Sequence, residues 1–143
     1  RPPVLDDYGL LAALEWYAAR VAAQTDLAIY VQGQELTPRP NAALEHALFR
    51  ITQEALTNVV KHAQATQVEI SLSVINGVIR LEIGDDGRGI DMALLDGAAS
   101  PQTWGLLNMR ERAEAVGGTF QILSESEHGT SILVEIPSEA TNI

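Results

Sequence analysis

The chain has 143 residues, 46% hydrophobic and 20% charged, and its 19 acidic residues against 9 Lys and Arg give a net charge of −10. Such a length suits one globular domain with a real core, and the acidic balance excludes the basic footprint of non-specific nucleic-acid binding. The absence of Cys excludes disulfides, zinc–thiolate sites and a cysteine nucleophile.

The three His (His46, His62, His128) are far apart and show no metal-ligand spacing. No run approaches the roughly 20 apolar residues of a membrane span. The opening Arg1-Pro2-Pro3 is no signal peptide and lacks a starting Met, so we expect a cytoplasmic fragment of a longer protein.

The spacing of Leu10, Leu14, Ala18 and Val21 predicts a first helix over Asp7–Ala23, capped by Asp6 or Asp7. Leu27–Gln32 reads as a short strand closed by Gly33. Pro38 and Pro40 mark a loop, and Asn41 is placed to cap a second helix over Ala42–His62. Its stripe is Leu44, Leu48, Ile51, Ala55 and Val59. A hairpin follows: Val68, Ile70, Leu72 and Val74 alternate, Asn76-Gly77 makes a two-residue turn, and Ile79, Leu81 and Ile83 alternate again.

Residues 91–104, with Gly97, Ala98, Ala99, Ser100 and Pro101, read as a mobile loop. A third helix is predicted over Leu106–Val116, ended by Gly117-Gly118, and then strands over Thr119–Ser124 and Thr130–Ile136. The expected fold is α+β: a two-layer sandwich of a mixed five-stranded sheet with three helices on one face.

Four stretches carry chemistry. At 100° per residue, Glu54, Asn58, Lys61 and His62 share an arc beside the apolar stripe. A carboxylate, an amide, an ammonium and an imidazole at that rim suit a metal–phosphate ligand: Asn offers Mg²⁺ a hard oxygen, and Lys and His donate to phosphate. The same residues also describe a solvated helix edge. Gly84-Asp85-Asp86-Gly87-Arg88-Gly89 fixes a carboxylate at a strand end among glycines that permit close approach, or is simply an Asp-Gly turn. Gly105 is expected to open the third helix, where free N–H groups attract anions, or merely to punctuate it. His128-Gly129-Thr130 offers a hydroxyl donor, or is a hairpin turn.

Together these stretches resemble the ATP-binding catalytic domain of sensor histidine kinases, and most closely the nitrate-sensor subclass. The wider superfamily includes gyrase, the 90-kDa heat-shock chaperone and the mismatch-repair ATPase, which share the Bergerat-type ATP-binding fold. The run from Phe49 to Ala63 is similar to the N box, Asp85-Asp86-Gly87-Arg88-Gly89 to the first glycine box, Gly105 to Ala113 to the second, and Gly129 to Pro137 to the closing strand. Arg1 to Leu10 resembles the segment that follows the dimerisation helices.

The resemblance implies one ATPase domain over 1–143, with 1–6 a remnant of the connection to a missing dimerisation domain and 91–104 the ATP lid. It implies ATP and Mg²⁺ as cofactors. Asp85 would read the adenine amino group, Gly87 and Gly89 shape its pocket, and Thr130 support that end. Asn58 would hold Mg²⁺, Lys61 and His62 contact phosphates, and Gly105 with the adjacent backbone of Leu106 cover them. Glu54 would polarise or position. No His here is followed by an acidic residue, so the phosphoacceptor is expected on dimerisation helices outside the chain, with a response regulator downstream. Alone, the chain is expected to be monomeric, to touch neither nucleic acid nor membrane, and not to autophosphorylate. Two other readings stand beside this one: a nucleotide-binding regulator or serine kinase of the anti-sigma type, and a plain α+β interaction module.

Overall fold

Gly9 breaks what the periodicity predicts as one helix. The computed structural model describes residues 3–89, 100–125 and 127–137. In it the chain starts with α1 (Pro3–Tyr8), turns at Gly9 and continues as α2 (Leu10–Gln24). Gly9 has φ +90°, a conformation open mainly to glycine, and caps α2 without any side-chain bond. Asp6 and Asp7 therefore belong to α1 and do not cap the long helix. Leu10, Leu14 and Ala18 are buried as predicted, with Val21 packed partly against them.

After β1 (Ala28–Gly33), Asn41 caps α3 (Ala42–Asn58) by accepting a 2.8 Å hydrogen bond from the Leu44 N–H. The whole predicted stripe, Leu44, Leu48, Ile51, Ala55 and Val59, is buried. The α geometry stops at Asn58, however. Val59–Ala63 forms a π turn, and Gln64 at φ 53° ends it. The predicted helix to His62 is thus right in extent and wrong in its last turn.

The hairpin is β2 (Gln67–Ile75) and β3 (Val78–Asp85), and both turn residues, Asn76 and Gly77, have positive φ. Val74, at the hairpin tip, is exposed. The next helix, α4 (Pro101–Ala115), starts five residues before the predicted Leu106. Ser100 caps it, its Oγ accepting from Thr103 N–H at 3.1 Å, and Pro101 occupies the first turn, where a missing N–H costs nothing. Of the expected loop over 91–104, residues 101–104 are therefore helical, and 91–99 lie outside the described residues. β4 (Thr119–Glu125) and β5 (Gly129–Pro137) complete the chain.

The five-stranded sheet has the order β1-β2-β3-β5-β4. β1 pairs parallel with β2, and the other three pairings are antiparallel. Alternate residues, among them Val68, Ile70, Leu81, Ile83, Ile132, Val134 and Ile136, turn to one face and are buried with α2, α3 and α4. The fold is the expected α+β sandwich on a mixed sheet, with α1 added to the three long helices. This arrangement brings the end of α3, the end of β3, the start of β5 and the first turns of α4 together.

Candidate functional site

Asn58, His62, Asp85, Gly89, Leu106 and Thr130, all singled out from sequence, line one cleft with Ala55, Val59, Ala63, Gln102 and Ile132. Ala55 and Val59 were legible only as core, and Gln102 lay in the expected loop. The cleft holds about 30 Å³, room for a water or two. Glu54, Lys61, Gly87 and Gly105 stand around this lining instead of on it. Glu54 and Asn58 stand on α3, and Lys61 and His62 on the π turn that follows it. His62 faces the cleft, whereas Lys61 is exposed.

Asp85 sits half-buried at the end of β3. Burial pushes its carboxyl above the usual range, and the backbone N–H groups of Gly87 and Thr130 partly offset that by donating to the carboxylate. The Gly87 bond is 2.8 Å. A carboxylate has about four acceptor positions, so Asp85 retains capacity for a donor from a ligand. Its neighbour Asp86 points elsewhere. It accepts from the N–H groups of Thr66 (2.8 Å) and Gln67 (3.0 Å) and from the Thr66 hydroxyl. The Gln67 N–H first, then Thr66, hold its carboxyl below the usual range. Sequence reasoning missed this role, because nothing local announces a partner 20 residues away.

Gly87 is required by close approach: a Cβ there would overlap the Ala63 carbonyl oxygen at the end of the π turn. Gly89 lies equally close to the Glu125 backbone. The Thr130 hydroxyl is 3.0 Å from Ser124 Oγ, tying the start of β5 to β4 beside Asp85.

Gly105 does not open α4, since Pro101 does, and its N–H lies inside the helix. Of the first-turn groups, Pro101 has no N–H and Thr103 N–H is bonded to Ser100, which leaves little of the expected anion site. What Gly105 provides is space. A Cβ there would overlap Glu54 Oε1 and lie 3.5 Å from Asn58 Nδ2.

Asn58 Nδ2 is buried and has no hydrogen-bond partner among the described residues. A buried polar group without a partner is costly and points to a ligand that completes it. No group of three or more His, Asp or Glu converges as a metal site among the described residues. A divalent ion at Asn58 would therefore take most of its ligands from phosphate and water, as Mg²⁺ commonly does.

The family model of the histidine kinase-, DNA gyrase B- and HSP90-like ATPases matches residues 43–140. The chain is 36% identical over 140 residues to sensor histidine kinase MctS of Rhizobium johnstonii, covering 98% of this chain and 30% of that protein. It is 31% identical over 144 residues to the signal transduction histidine-protein kinase/phosphatase DegS of Bacillus subtilis, covering 96% of this chain and 36% of that protein. The chain thus spans about a third of the length of these relatives. Among solved structures, the histidine kinase domain of a blue-light activated histidine kinase from Erythrobacter litoralis superposes with a TM-score of 0.76 at 20% identity, covering 92% of this chain and 62% of that one. That likeness establishes the fold.

Proposed function

The chain belongs to the histidine kinase-, DNA gyrase B- and HSP90-like ATPase family, and we propose that it works as the ATP-binding catalytic domain of a two-component sensor histidine kinase. The observation that carries this reading is the meeting of Asp85, Asn58 and His62 in one cleft. A fixed carboxylate for an exocyclic amine lies at one end, and an amide and an imidazole suited to metal and phosphate at the other.

In this reading Asp85 accepts a hydrogen bond from the adenine amino group, with Gly87, Gly89 and Thr130 shaping that end. His62 and Lys61 donate to phosphate oxygens, and Gly105 and Leu106 cover them from α4. The partnerless Nδ2 of Asn58 would donate to a phosphate oxygen, while its Oδ1, with Glu54 beside it, would offer Mg²⁺ a hard oxygen ligand shared with the triphosphate. When bound, Mg²⁺ neutralises phosphate charge, which an acidic domain with a single lysine supplies poorly. The domain's own contribution is positioning. It holds the γ-phosphorus in line with a histidine nitrogen, so that a P–N bond forms as the bond to the bridging oxygen breaks and ADP leaves.

The acceptor histidine belongs to dimerisation helices of a longer protein, and the phosphoryl group passes on to a response regulator. The kinase part of this reading is supported by relatives that are named as histidine kinases. The likeness of the run from Phe49 to Ala63 to the N box of the nitrate-sensor subclass supports that subclass. Residues 1–6 connect to the dimerisation helices, and residues 91–104 are the ATP lid, its last four residues forming the first turn of α4. We place the domain in the cytoplasm, monomeric when alone and without contact to nucleic acid. Among the described residues no helix is long and apolar enough to cross a membrane.

Calorimetric titration with ATP, with and without Mg²⁺ and against GTP, tests the site. Binding should prefer adenine and tighten with Mg²⁺, and Asn58→Ala should weaken Mg-ATP more than adenosine. Mixing the chain with its own dimerisation helices and Mg-ATP should yield acid-labile phosphohistidine. Acid-stable phosphoserine on a partner would favour the serine-kinase reading instead, and absence of any nucleotide binding would remove both.

A further inference from the structure

Arg88 lies between the two glycines of Gly87-Arg88-Gly89, and neither the cleft lining nor the adenine contact uses it. Its backbone N–H donates to Ala63 O at 2.8 Å, and its carbonyl accepts from Glu127 N–H at 2.7 Å. Its side-chain Nε donates to His62 O at 2.8 Å. His62 and Ala63 are the last two residues of the π turn. Their carbonyls have no later helical N–H to accept from, because Gln64 at φ 53° leaves the helix. π turns are rare and persist where surrounding contacts hold them. Here the backbone of residue 88 satisfies Ala63, and among the described residues the Arg88 side chain satisfies His62.

We propose that Arg88 is a positioning residue: by holding the His62 carbonyl it fixes the π turn, and so aims His62 and Lys61 at the phosphates of a bound nucleotide. The inference rests on the nucleotide reading of the cleft. It goes further in dividing the work between the two ends. Asp85 is anchored separately, by β3 pairing and by the Gly87 and Thr130 N–H groups. Loss of the guanidinium therefore loosens the phosphate end and leaves the adenine end in place. A general structural role would weaken both ends together.

The experiment is calorimetric titration of the chain with ATP and with adenosine, for wild type, Arg88→Ala and Arg88→Lys, after circular dichroism shows each variant folded. Arg88→Ala should lose ATP affinity roughly 3- to 10-fold, the range of one net hydrogen bond, while adenosine affinity stays within about twofold. Arg88→Lys, which keeps one donor, should fall between. If Arg88→Ala does not fold, Arg88→Lys and Arg88→Gln carry the same comparison. A double-mutant cycle separates positioning from direct phosphate contact. In a Lys61→Ala/His62→Ala background, Arg88→Ala should add less than about twofold. Equal losses for ATP and adenosine, no loss at all, or full additivity in the cycle would each overturn the proposal while wild-type ATP binding left the cleft reading standing. If wild type binds neither ligand, both fall.

Discussion

Oε1 of Glu54 occupies the space that a side chain on Gly105 would need. α3 and α4 meet where one presents a carboxylate and the other has no side chain, with Asn58 Nδ2 close by. The glycine is thus a matter of packing between helices more than of helix punctuation.

Gly105→Ala tests that relationship. The overlap is with the end of a flexible side chain, so Glu54 turns aside at little cost. Replacing a helical Gly by Ala returns about 0.5–1 kcal/mol. Thermal stability should hold or rise slightly while Mg-ATP affinity falls. Adding Glu54→Ala should remove the overlap, and the two effects should then be non-additive. Unchanged affinity in Gly105→Ala would show that the position of Glu54 does not matter to binding.

Asp85→Asn should keep the fold and lose ATP affinity by about 10- to 100-fold, the worth of a hydrogen bond to a charged acceptor, about 1.5–3 kcal/mol. The pH dependence has a definite sign. Burial raises the Asp85 pKa, so on acidification this carboxylate takes up a proton before an ordinary Asp does. Wild-type affinity should therefore start to fall above the usual carboxylate range, and the ratio of wild-type to Asp85→Asn affinity should shrink there. A ratio constant with pH would remove the ionised carboxylate from recognition.

Asp86→Ala should behave oppositely, with lower stability and little change in adenine preference. The carboxylate accepts three bonds but is exposed, so the expected cost is about 1 kcal/mol by chemical denaturation. Because its pKa is lowered in the fold, its stabilisation is present above the unfolded pKa and is lost as pH falls through the folded one. The gap between wild type and variant should close in acid.

Arg39 Nη2 is 3.0 Å from Oε1 of Glu45, a residue only 4% exposed, and also donates to the carbonyls of Leu5 (2.8 Å) and Asp6 (3.0 Å) in α1. Arg39→Ala strands a buried carboxylate and unties α1. The melting temperature should drop and amide exchange in α1 should accelerate. Adding Glu45→Gln should recover part of the melting temperature but not the α1 protection. Recovery of both would mean that only the buried charge matters.

These residues also show which parts of the molecule can be read from sequence. Val68, Ile70 and Leu72 alternate, Leu44 to Val59 keep helical spacing, and Asn76-Gly77 has turn chemistry, so five strands and the main helix are visible locally. Ser100-Pro101 was a helix start in plain sight, a cap followed by a first-turn proline, but the small residues before it read as loop. The Gly9 break is a backbone choice among several that sequence allows. The π turn, the Asp86 bonds and the Arg88 contacts depend on partners brought near only by the tertiary fold, and periodicity carries no trace of them.

The cleft has no local nucleus. Arg88 and His62 are 26 residues apart, and the Glu127 and Gly129 contacts reach the same loop only after β5 has docked on β3 across the intervening α4 and β4. Non-local closures of this kind form late in folding, and contacts that are few and solvent-exposed open early. A partly folded chain with β2 and β3 paired would hold Asp85 yet lack the wall opposite. Nucleotide binding would then report on completion of the whole sheet, and a truncation that removed β5 would abolish it without touching Asn58, Lys61 or Asp85.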